Sequence, residues 1–286
     1  MNTQFWVSQA FNGISYGALL FLVGSGLSLI FGVMRIVNLA HGSYFLLGGY
    51  VALSVIWTTG SWALAIPVAS LSIALVGLLM ERIFLRPLGF DPLRQVLLTV
   101  GFAFLFQQAA LDIWTGNNFD INPPATLTQS IVVGGIYFPL YRVFMIGMAL
   151  AIGAVLWLVM EKTRMGAAVR ATVDDAEMAR GVGIDTSRVS MFIFALGAFL
   201  AALGGVIGGA FLGIYPGLDF EMLPLAFAVV IIGGMGSLGG AAIGALAVGL
   251  ADNFGKALFP EVSYFTLYAP MVLILAVKPT GLFGRE

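Results

Sequence analysis

The sequence contains no cysteine, only one histidine, His41, and 9% charged residues in a chain of 286. The absence of cysteine excludes disulfides, cysteine metal sites and thiol catalysis. A single histidine leaves histidine-based metal centres and most catalytic triads without their residues. Soluble domains carry about 25% charged residues, so the composition excludes that class. The net charge of −1 gives no nucleic-acid footprint, and we predict no nucleic-acid partner.

Apolar residues are abundant instead: 60% of the chain is hydrophobic, and the mean hydropathy is +1.01. This composition predicts a polytopic membrane protein. Seven apolar stretches are candidate membrane spans: 11–34, 42–56, 62–80, 95–114, 142–160, 189–212 and 264–277. The segment 115–141 is rich in Asn, Pro, Thr and Gly and is predicted to form a small hairpin or an irregular cap.

The stretch 222–250 does not read as one helix, because the sequence GGMGSLGG interrupts it at 233–240. Two arms, each short or marginal for the ~20 residues that a span needs, favour a glycine-rich re-entrant segment over one long kinked helix. Lipid cannot hydrogen-bond freed backbone groups, so such a break must be buried in protein or line a cavity.

We therefore predict an all-α fold, a polytopic transmembrane helical bundle with about eight membrane-embedded elements, including broken or re-entrant helices. The whole chain, 1–286, is predicted to form a single transmembrane domain.

The basic residues predict the orientation of the chain. If the loops 81–94 and 161–188 are cytoplasmic, only Arg142 and Lys256 fall outside. Lys and Arg concentrate in cytoplasmic loops, so this distribution supports that orientation. The carboxylates of Asp120, Asp219, Glu221 and Glu261 are then expected outside. Eleven of the 13 basic residues lie inside: Arg35, Arg82, Arg86, Arg94, Lys162, Arg164, Arg170, Arg180, Arg188, Lys278 and Arg285.

The loop 161–188 holds ten of the 27 charged residues, and it must project into water. Asp174, Asp175 and Glu177 would lie early in a short helix that runs towards Arg180, as the helix dipole prefers. Gly181 and Gly183 would end that helix. The loop is either a solvated connection between two spans or a docking helix for a soluble partner.

A second polar cluster lies at a predicted helix break, where Asn38, His41 and Ser43 occur within six residues. Exposed helix-end amides there could hydrogen-bond a substrate or another helix. We predict that this break borders the translocation pathway, together with Gly234, Gly236 and Gly239 of the glycine-rich break. Tying two helices together is the alternative role. No ladder of carboxylates runs through the spans, which argues against a proton- or sodium-coupled carrier.

Nucleotide-binding patterns are weak in this sequence. The GxGxxG match at 234–239 lacks the alternating strands, helices and following acidic residue of a dinucleotide site. The Gly-Lys-Ala run at 255–257 lacks both the spacing and the hydroxyl of a phosphate-binding loop. We predict no cofactor, no metal site and no catalytic residue, and any ATPase that drives the protein must be another chain.

Four motifs resemble the membrane permease subunits of branched-chain amino-acid ABC importers. They are LSLIFGVMRIVNLAHGSYFLLGGYVA at 27–52, RATVDDAEMARGVGID at 170–185, IIGGMGSLGGAAIGAL at 231–246 and KPTGLFG at 278–284. They occur in the same order, and the similarity runs over essentially the whole length. The loop also fits the importers' EAA signature at Glu177, Ala179 and Gly183, with Met178 in place of the middle alanine.

The resemblance implies that the loop is a coupling helix seated in a groove of an ATP-binding subunit, with Asp174, Asp175, Glu177, Ala179, Arg180 and Gly183 as candidate coupling residues. It also implies a second homologous permease subunit, two cytoplasmic ATP-binding subunits and a periplasmic or lipid-anchored substrate-binding protein. The expected location is the bacterial inner membrane.

The substrate implied by the resemblance is a branched-chain or related amino acid. Related permeases share these motifs, so urea, short amides, aromatic acids or a sugar are alternative cargoes. A stand-alone channel or secondary carrier is a second alternative. An integral-membrane enzyme is a third, for which the sequence offers no evident catalytic set.

Overall fold

The computed structural model describes residues 3–89, 91–278 and 280–284. Within these ranges the chain forms eleven α-helices and one β-hairpin, which confirms the predicted all-α bundle. The strands are β1 (Ser130–Val133) and β2 (Ile136–Pro139). The helices are α1 (Thr3–Met34), α2 (His41–Thr59), α3 (Trp62–Met80), α4 (Pro92–Trp114), α5 (Leu140–Lys162), α6 (Arg164–Asp174), α7 (Ala176–Gly181), α8 (Thr186–Leu212), α9 (Leu218–Gly233), α10 (Leu238–Leu258) and α11 (Ser263–Val277).

Six helices of the described chain are long and apolar enough to cross a membrane: α1, α3 with its continuation to Leu88, α4, α5, α8 and α10. Three more apolar helices are shorter, with 19 residues in α2, 16 in α9 and 15 in α11. The predicted stretch 222–250 therefore contributes two helices. The first arm, α9, is short as expected, whereas the second, α10, continues past 250 to Leu258 and has 21 residues.

The core of the bundle is built around α1 and α8. In each of them 72% of the most apolar window is buried, against 17% in α4 and 22% in α5. Small residues let the two central helices approach closely: a Cβ added to Gly26 would lie 2.7 Å from the carbonyl oxygen of Gly197. Helices in lipid associate through such close packing, because apolar side chains gain no hydrophobic free energy by moving from lipid into a helix interface.

The two ends of the bundle differ in composition. At one end, here called the α6–α7 end, Gly236 lies against Gly32 of α1 and Val173 of α6. At the other, the hairpin end, Asn12 of α1 accepts a hydrogen bond from Arg142, and Phe11 packs on Phe138 of β2.

Ten of the twelve Lys and Arg residues that the structure describes belong to the α6–α7 end. Only Arg142 and Lys256 lie at the hairpin end, where Lys256 packs over Tyr16. Arg285, the eleventh basic residue predicted inside, lies outside the described residues. The segregation of basic residues agrees with the prediction that the α6–α7 end faces the cytoplasm.

The hairpin expected within 115–141 is present. β1 and β2 pair antiparallel, with Ser130 opposite Pro139 and Val133 opposite Ile136. Gly134 and Gly135 form the two-residue turn with φ of +59° and +81°. Positive φ at both positions is the requirement of a type I′ turn, which glycine meets without steric cost.

The predicted basic turn at 81–94 begins later than the sequence suggests. α3 continues through one π-helical turn, Glu81–Leu85, and one 3₁₀ turn, Arg86–Leu88. The chain reverses only at Gly89, whose φ is +61°. Apolar residues within Glu81–Leu85 keep this extension helical, so Glu81 stays packed in the bundle with 2% of its surface exposed.

The orientation predicts a difference in labelling between two exposed positions, Val182 beside α7 and Tyr137 in β2, which are 70% and 71% exposed. The chain has no cysteine, so Val182→Cys and Tyr137→Cys each introduce one thiol. An impermeant maleimide should label Tyr137→Cys in intact spheroplasts and Val182→Cys only after lysis. The reverse pattern would invert the topology.

Candidate functional site

The predicted docking helix is α7, and both of its ends are defined by local hydrogen bonds. Asp175 is the N-cap, and its carboxylate accepts hydrogen bonds of 2.9 Å from the N–H groups of Glu177 and Met178. A carboxylate at this position accepts hydrogen bonds from free amides, and the positive end of the helix dipole stabilises its negative charge.

The C-terminal end of α7 is a Schellman motif. The N–H of Gly183 donates to the carbonyl of Arg180 at 3.0 Å, and the N–H of Ile184 donates to Ala179 at 2.9 Å. Gly183 has a φ of +90°, a conformation in which a side chain is strained. The predicted stop at Gly183 is therefore confirmed, whereas Gly181 is the last helical residue.

The face that α7 offers to a partner does not include Ala179. Ala179 is buried in its own chain with 3% exposure, because α7 packs its small residue against the start of α8. Met178 and Val182 are 66% and 70% exposed and lie four residues apart. They form an apolar pair in water, here called the α7 pair.

The candidate coupling residues are arranged around this pair. Asp174, Asp175 and Glu177 are exposed, and so is Arg180. The Nε–H of Arg180 donates a hydrogen bond to the hydroxyl of Thr186 in α8, at 2.8 Å. The charged groups therefore surround the α7 pair, and Arg180 fixes the helix to the membrane bundle.

The four motifs that carry the family resemblance meet at the α6–α7 end. A cavity of about 730 Å³, here called the corner cavity, has walls from all four of them. They contribute Gly32 from the end of α1, Val173 from α6, Gly236 from the break between α9 and α10, and Phe283 from the C-terminal segment. α6 and the glycine-rich break therefore share the walls of one cavity.

Two glycines of this break require positive φ, at +101° for Gly234 and +79° for Gly236. Gly236 also touches another helix, since an added Cβ would lie 3.1 Å from the Cα of Gly32. Gly239 is different: it is helical and exposed, and no atom of the described residues lies within 4 Å of an added Cβ. Gly239 therefore makes no close packing contact with another helix.

The backbone groups freed by the break are satisfied inside the protein. The C-terminal segment folds back, and Leu282 and Phe283 donate their N–H groups to the carbonyls of Ile232 and Gly233 at 3.0 Å. Ser237 caps α10 by accepting from Gly240 at 3.0 Å. The terminal KPTGLFG motif thus holds the end of α9, although Pro279 lies outside the described residues.

The other predicted break, 35–41, covers 35–40 in the structure, and the chain returns into the bundle before α2 begins at His41. His41 Nε2 lies 3.0 Å from the carbonyl oxygen of Val23. Val23 precedes the end of α1 by eleven residues, which is about 16 Å along a helix. α2 therefore starts inside the bundle, well short of the end of α1.

The structure brings the three predicted polar residues of this break together in the core. Asn38 and His41 are 0% exposed and Ser43 is 1% exposed. The Asn38 side chain accepts a hydrogen bond from the N–H of Ala40 at 3.1 Å. The corner cavity does not reach this cluster.

Asp219 belongs to this cluster, although the sequence placed it outside the membrane. It is 2% exposed, and its Oδ2 accepts a hydrogen bond from Ser43 Oγ at 3.1 Å. α9 begins at Leu218, beside the start of α2, so the connection after α8 also dips into the bundle. Gly213 and Gly217, with φ of +77° and +98°, mark this dip and were the available sequence signal.

Two helix starts thus meet a buried carboxylate inside the bundle. Among the described residues α2 has no side-chain N-cap, and Asp219 Oδ1 and the Tyr50 hydroxyl have no hydrogen-bond partner. Helix N-termini at such breaks attract anionic groups, and a carboxylate attracts an ammonium group. The described residues contain no group of three His, Cys, Asp or Glu side chains that could hold a metal ion.

Comparison with known proteins agrees with this arrangement. The family model of the branched-chain amino acid transport system permease component matches residues 9–275. The chain is 31% identical to the high-affinity branched-chain amino acid transport system permease protein LivH of Salmonella typhimurium, over 100% of this chain and 98% of the relative.

Two further relatives are more distant. Identity is 27% to the permease protein BraD of Pseudomonas aeruginosa, over 98% of this chain and 96% of BraD. It is 26% to the permease protein LivM of Escherichia coli, over 97% of this chain and 71% of LivM. No solved structure matches the chain significantly. The chain is a multi-pass membrane protein that belongs to the permease component family of branched-chain amino acid transport systems.

Proposed function

We propose that this chain forms half of the translocation pathway of an ATP-driven importer for branched-chain or related amino acids in the bacterial inner membrane. The observation that carries the proposal is the α7 pair. Met178 and Val182 expose apolar surface on a capped helix, surrounded by charges, at the end of the bundle that is rich in basic residues. Such a surface suits a groove in a soluble partner.

The partners follow from this role. Two cytoplasmic ATP-binding subunits would receive the coupling loops, and a periplasmic or lipid-anchored binding protein would deliver the small-molecule substrate. The other half of the pathway would be a second homologous permease subunit, a role consistent with the similarity to both LivH and LivM. This chain itself would be non-catalytic, with ATP hydrolysis confined to its partners.

In this mechanism the chain works as a single permease domain, 1–286, with a coupling loop at 161–188 and a broken glycine-rich segment at 222–250. Closure of the ATPases would displace α7 and α6. Because Val173 of α6 and Gly236 line the same cavity, the displacement would reach the ends of α9 and α10. The bundle would then alternate between two arrangements that ATP binding biases.

The coupling role predicts that Gly183→Val uncouples the importer and that Gly181→Val does not. Valine at Gly183 meets a left-handed conformation, which costs about 1–2 kcal/mol, whereas Gly181 is helical and has open space around it among the described residues. In proteoliposomes with the complete system, Gly183→Val should lower both ATPase co-purification and ATP-dependent uptake of radiolabelled L-leucine. Gly181→Val should match the wild type.

Equal uptake and equal ATPase recovery with both variants would contradict the coupling role of the loop. Uptake of L-leucine without ATP would support a stand-alone channel or carrier. If L-leucine is not taken up but urea, an amide, an aromatic acid or ribose is, the importer class stands and the cargo differs.

The glycine break gives a second matched pair, Gly236→Leu and Gly239→Leu. Leucine at Gly236 must adopt positive φ and displace Gly32, so transport should fall strongly while the chain remains in the membrane. Gly239 lines the corner cavity without close packing, so leucine there should lower transport less than leucine at Gly236. Uptake at equal membrane abundance is the measurement. Normal uptake by Gly236→Leu would remove the break from the mechanism.

The buried break predicts that His41→Gln retains more transport than His41→Leu. Glutamine can still donate to the Val23 carbonyl, whereas leucine removes this hydrogen bond, at a cost of about 0.5–1.5 kcal/mol. Loss of uptake at normal abundance would support the pathway proposed for Asn38, His41 and Ser43. Loss of abundance would support a tie between helices, and full activity of both variants would contradict both roles.

A further inference from the structure

A second cavity, of about 640 Å³, opens at the α6–α7 end and has no wall residue in common with the corner cavity. It lies between the ends of α1 and α3, the start of α4, and the α7–α8 connection. Its volume is within the range of about 300–1,000 Å³ that is usual for small-molecule sites. We call it the Glu81 cavity.

Glu81 contributes a buried carboxylate to this cavity. The side chain begins the π-helical turn of α3, and π turns occur frequently at functional sites. It is 2% exposed, and Oε2 has no hydrogen-bond partner among the described residues. No basic group of the described chain lies within 4.0 Å of this carboxylate, the distance that defines an ion pair. A buried carboxylate is costly unless a cationic or donor group pairs with it.

Two guanidinium groups line the same cavity. Arg86 follows the π turn on the exposed surface, and Arg180 is held at the wall by its hydrogen bond to Thr186. The planar donor array of arginine matches a carboxylate. Val33, Met34 and Leu85 supply an aliphatic part of the wall. The cavity therefore presents an anion, two cations and an apolar surface together.

We propose that the Glu81 cavity binds a free aliphatic α-amino acid on the cytoplasmic side of the membrane. The ammonium group would pair with Glu81, the carboxylate with Arg86 and Arg180, and the side chain would lie on the aliphatic wall. An inorganic cation is disfavoured because two guanidinium groups share the cavity, and a simple anion is disfavoured by Glu81. The choice of an aliphatic amino acid rests on the proposed function.

The position of the site would allow its occupant to regulate transport. Ala176 and Arg180 of α7 form part of the wall, so an occupant would bridge the coupling helix and the end of α3. Imported product that accumulates in the cytoplasm would thereby bind directly against the element that transmits ATPase motion.

The test is equilibrium dialysis of radiolabelled L-leucine against the complete transporter in nanodiscs, without the binding protein. Wild type should bind saturably. Glu81→Gln should weaken binding at least about tenfold, the change expected for one lost charge-assisted hydrogen bond. Glu161→Gln is the matched control, because Glu161 is a glutamate of the same end that lines the corner cavity, and it should leave binding unchanged.

Arg86→Gln keeps the proposal falsifiable if Glu81→Gln does not fold, because Arg86 is exposed and its replacement leaves the packing intact. It should weaken L-leucine binding by a similar factor. L-Leucinamide, which lacks the carboxylate, and isocaproate, which lacks the amine, should compete at least about tenfold less well than L-leucine.

Unchanged L-leucine binding by Arg86→Gln, or equal competition by either analogue, would overturn the proposed site. Uptake measured with the same variants in proteoliposomes, with the binding protein added, separates this result from failure of the proposed function. If ATP-dependent uptake is normal but Arg86→Gln binds L-leucine as the wild type does, only the site is rejected and the proposed function stands. Absence of both uptake and binding of aliphatic amino acids rejects the proposed function and the site with it.

Discussion

Hydrocarbon cannot hydrogen-bond a polypeptide backbone, and this constraint shapes the whole bundle because three breaks interrupt its helices. Each break finds its partners within the chain. At 35–40, the N–H of Leu39 donates to Thr99 of α4 at 3.2 Å. At 213–217, Ile214 exchanges two 2.8 Å hydrogen bonds with Phe119. At 234–237, the C-terminal segment supplies the donors. The breaks are therefore stable features that the fold is built to enclose.

Glycine makes this enclosure possible. Backbones pass each other at Gly26 and Gly197 between α1 and α8, and a Cβ added to Gly48 of α2 would clash with the backbone of Ala202. Tight packing of this kind tolerates discrete rearrangements better than gradual deformation, because side chains and backbones interdigitate. A bundle that couples a cytoplasmic event to a membrane pathway needs such discrete states.

Some functional elements lie in the buried interior of the bundle and others lie in water. The start of α2 and the start of α9 meet in the buried interior, where Asp219 and His41 interact with hydroxyl and carbonyl groups. α7 projects into water with apolar residues exposed. The corner cavity lies between these regions, so the loop and the glycine-rich break share a boundary rather than acting at a distance.

Much of the fold could be predicted from the sequence, because hydropathy in a membrane protein reports span length directly. The third span coincides with α3 at Trp62–Met80, and the break at 233–240, the hairpin and the stop at Gly183 are all confirmed. Local rules suffice for these features, since each depends on lipid solvation or on glycine stereochemistry.

Features set by tertiary packing could not be predicted. The burial of Asp219 depends on a helix that starts inside the bundle, and the inward face of Ala179 depends on where α8 begins. The open space at Gly239 and the π turn at Glu81 likewise depend on neighbouring helices. Residue type alone does not distinguish a glycine that contacts a backbone from one that faces open space.

The central claim is that α7 is the surface through which partner ATPases act on this membrane domain. Hydrogen–deuterium exchange of the purified chain, with and without the ATP-binding subunits, tests it directly. We expect the amides of 176–185 to exchange fast in the free chain and to become protected in the complex, while those of 38–44 exchange slowly in both. Unchanged exchange at 176–185 in a stable complex would contradict the account.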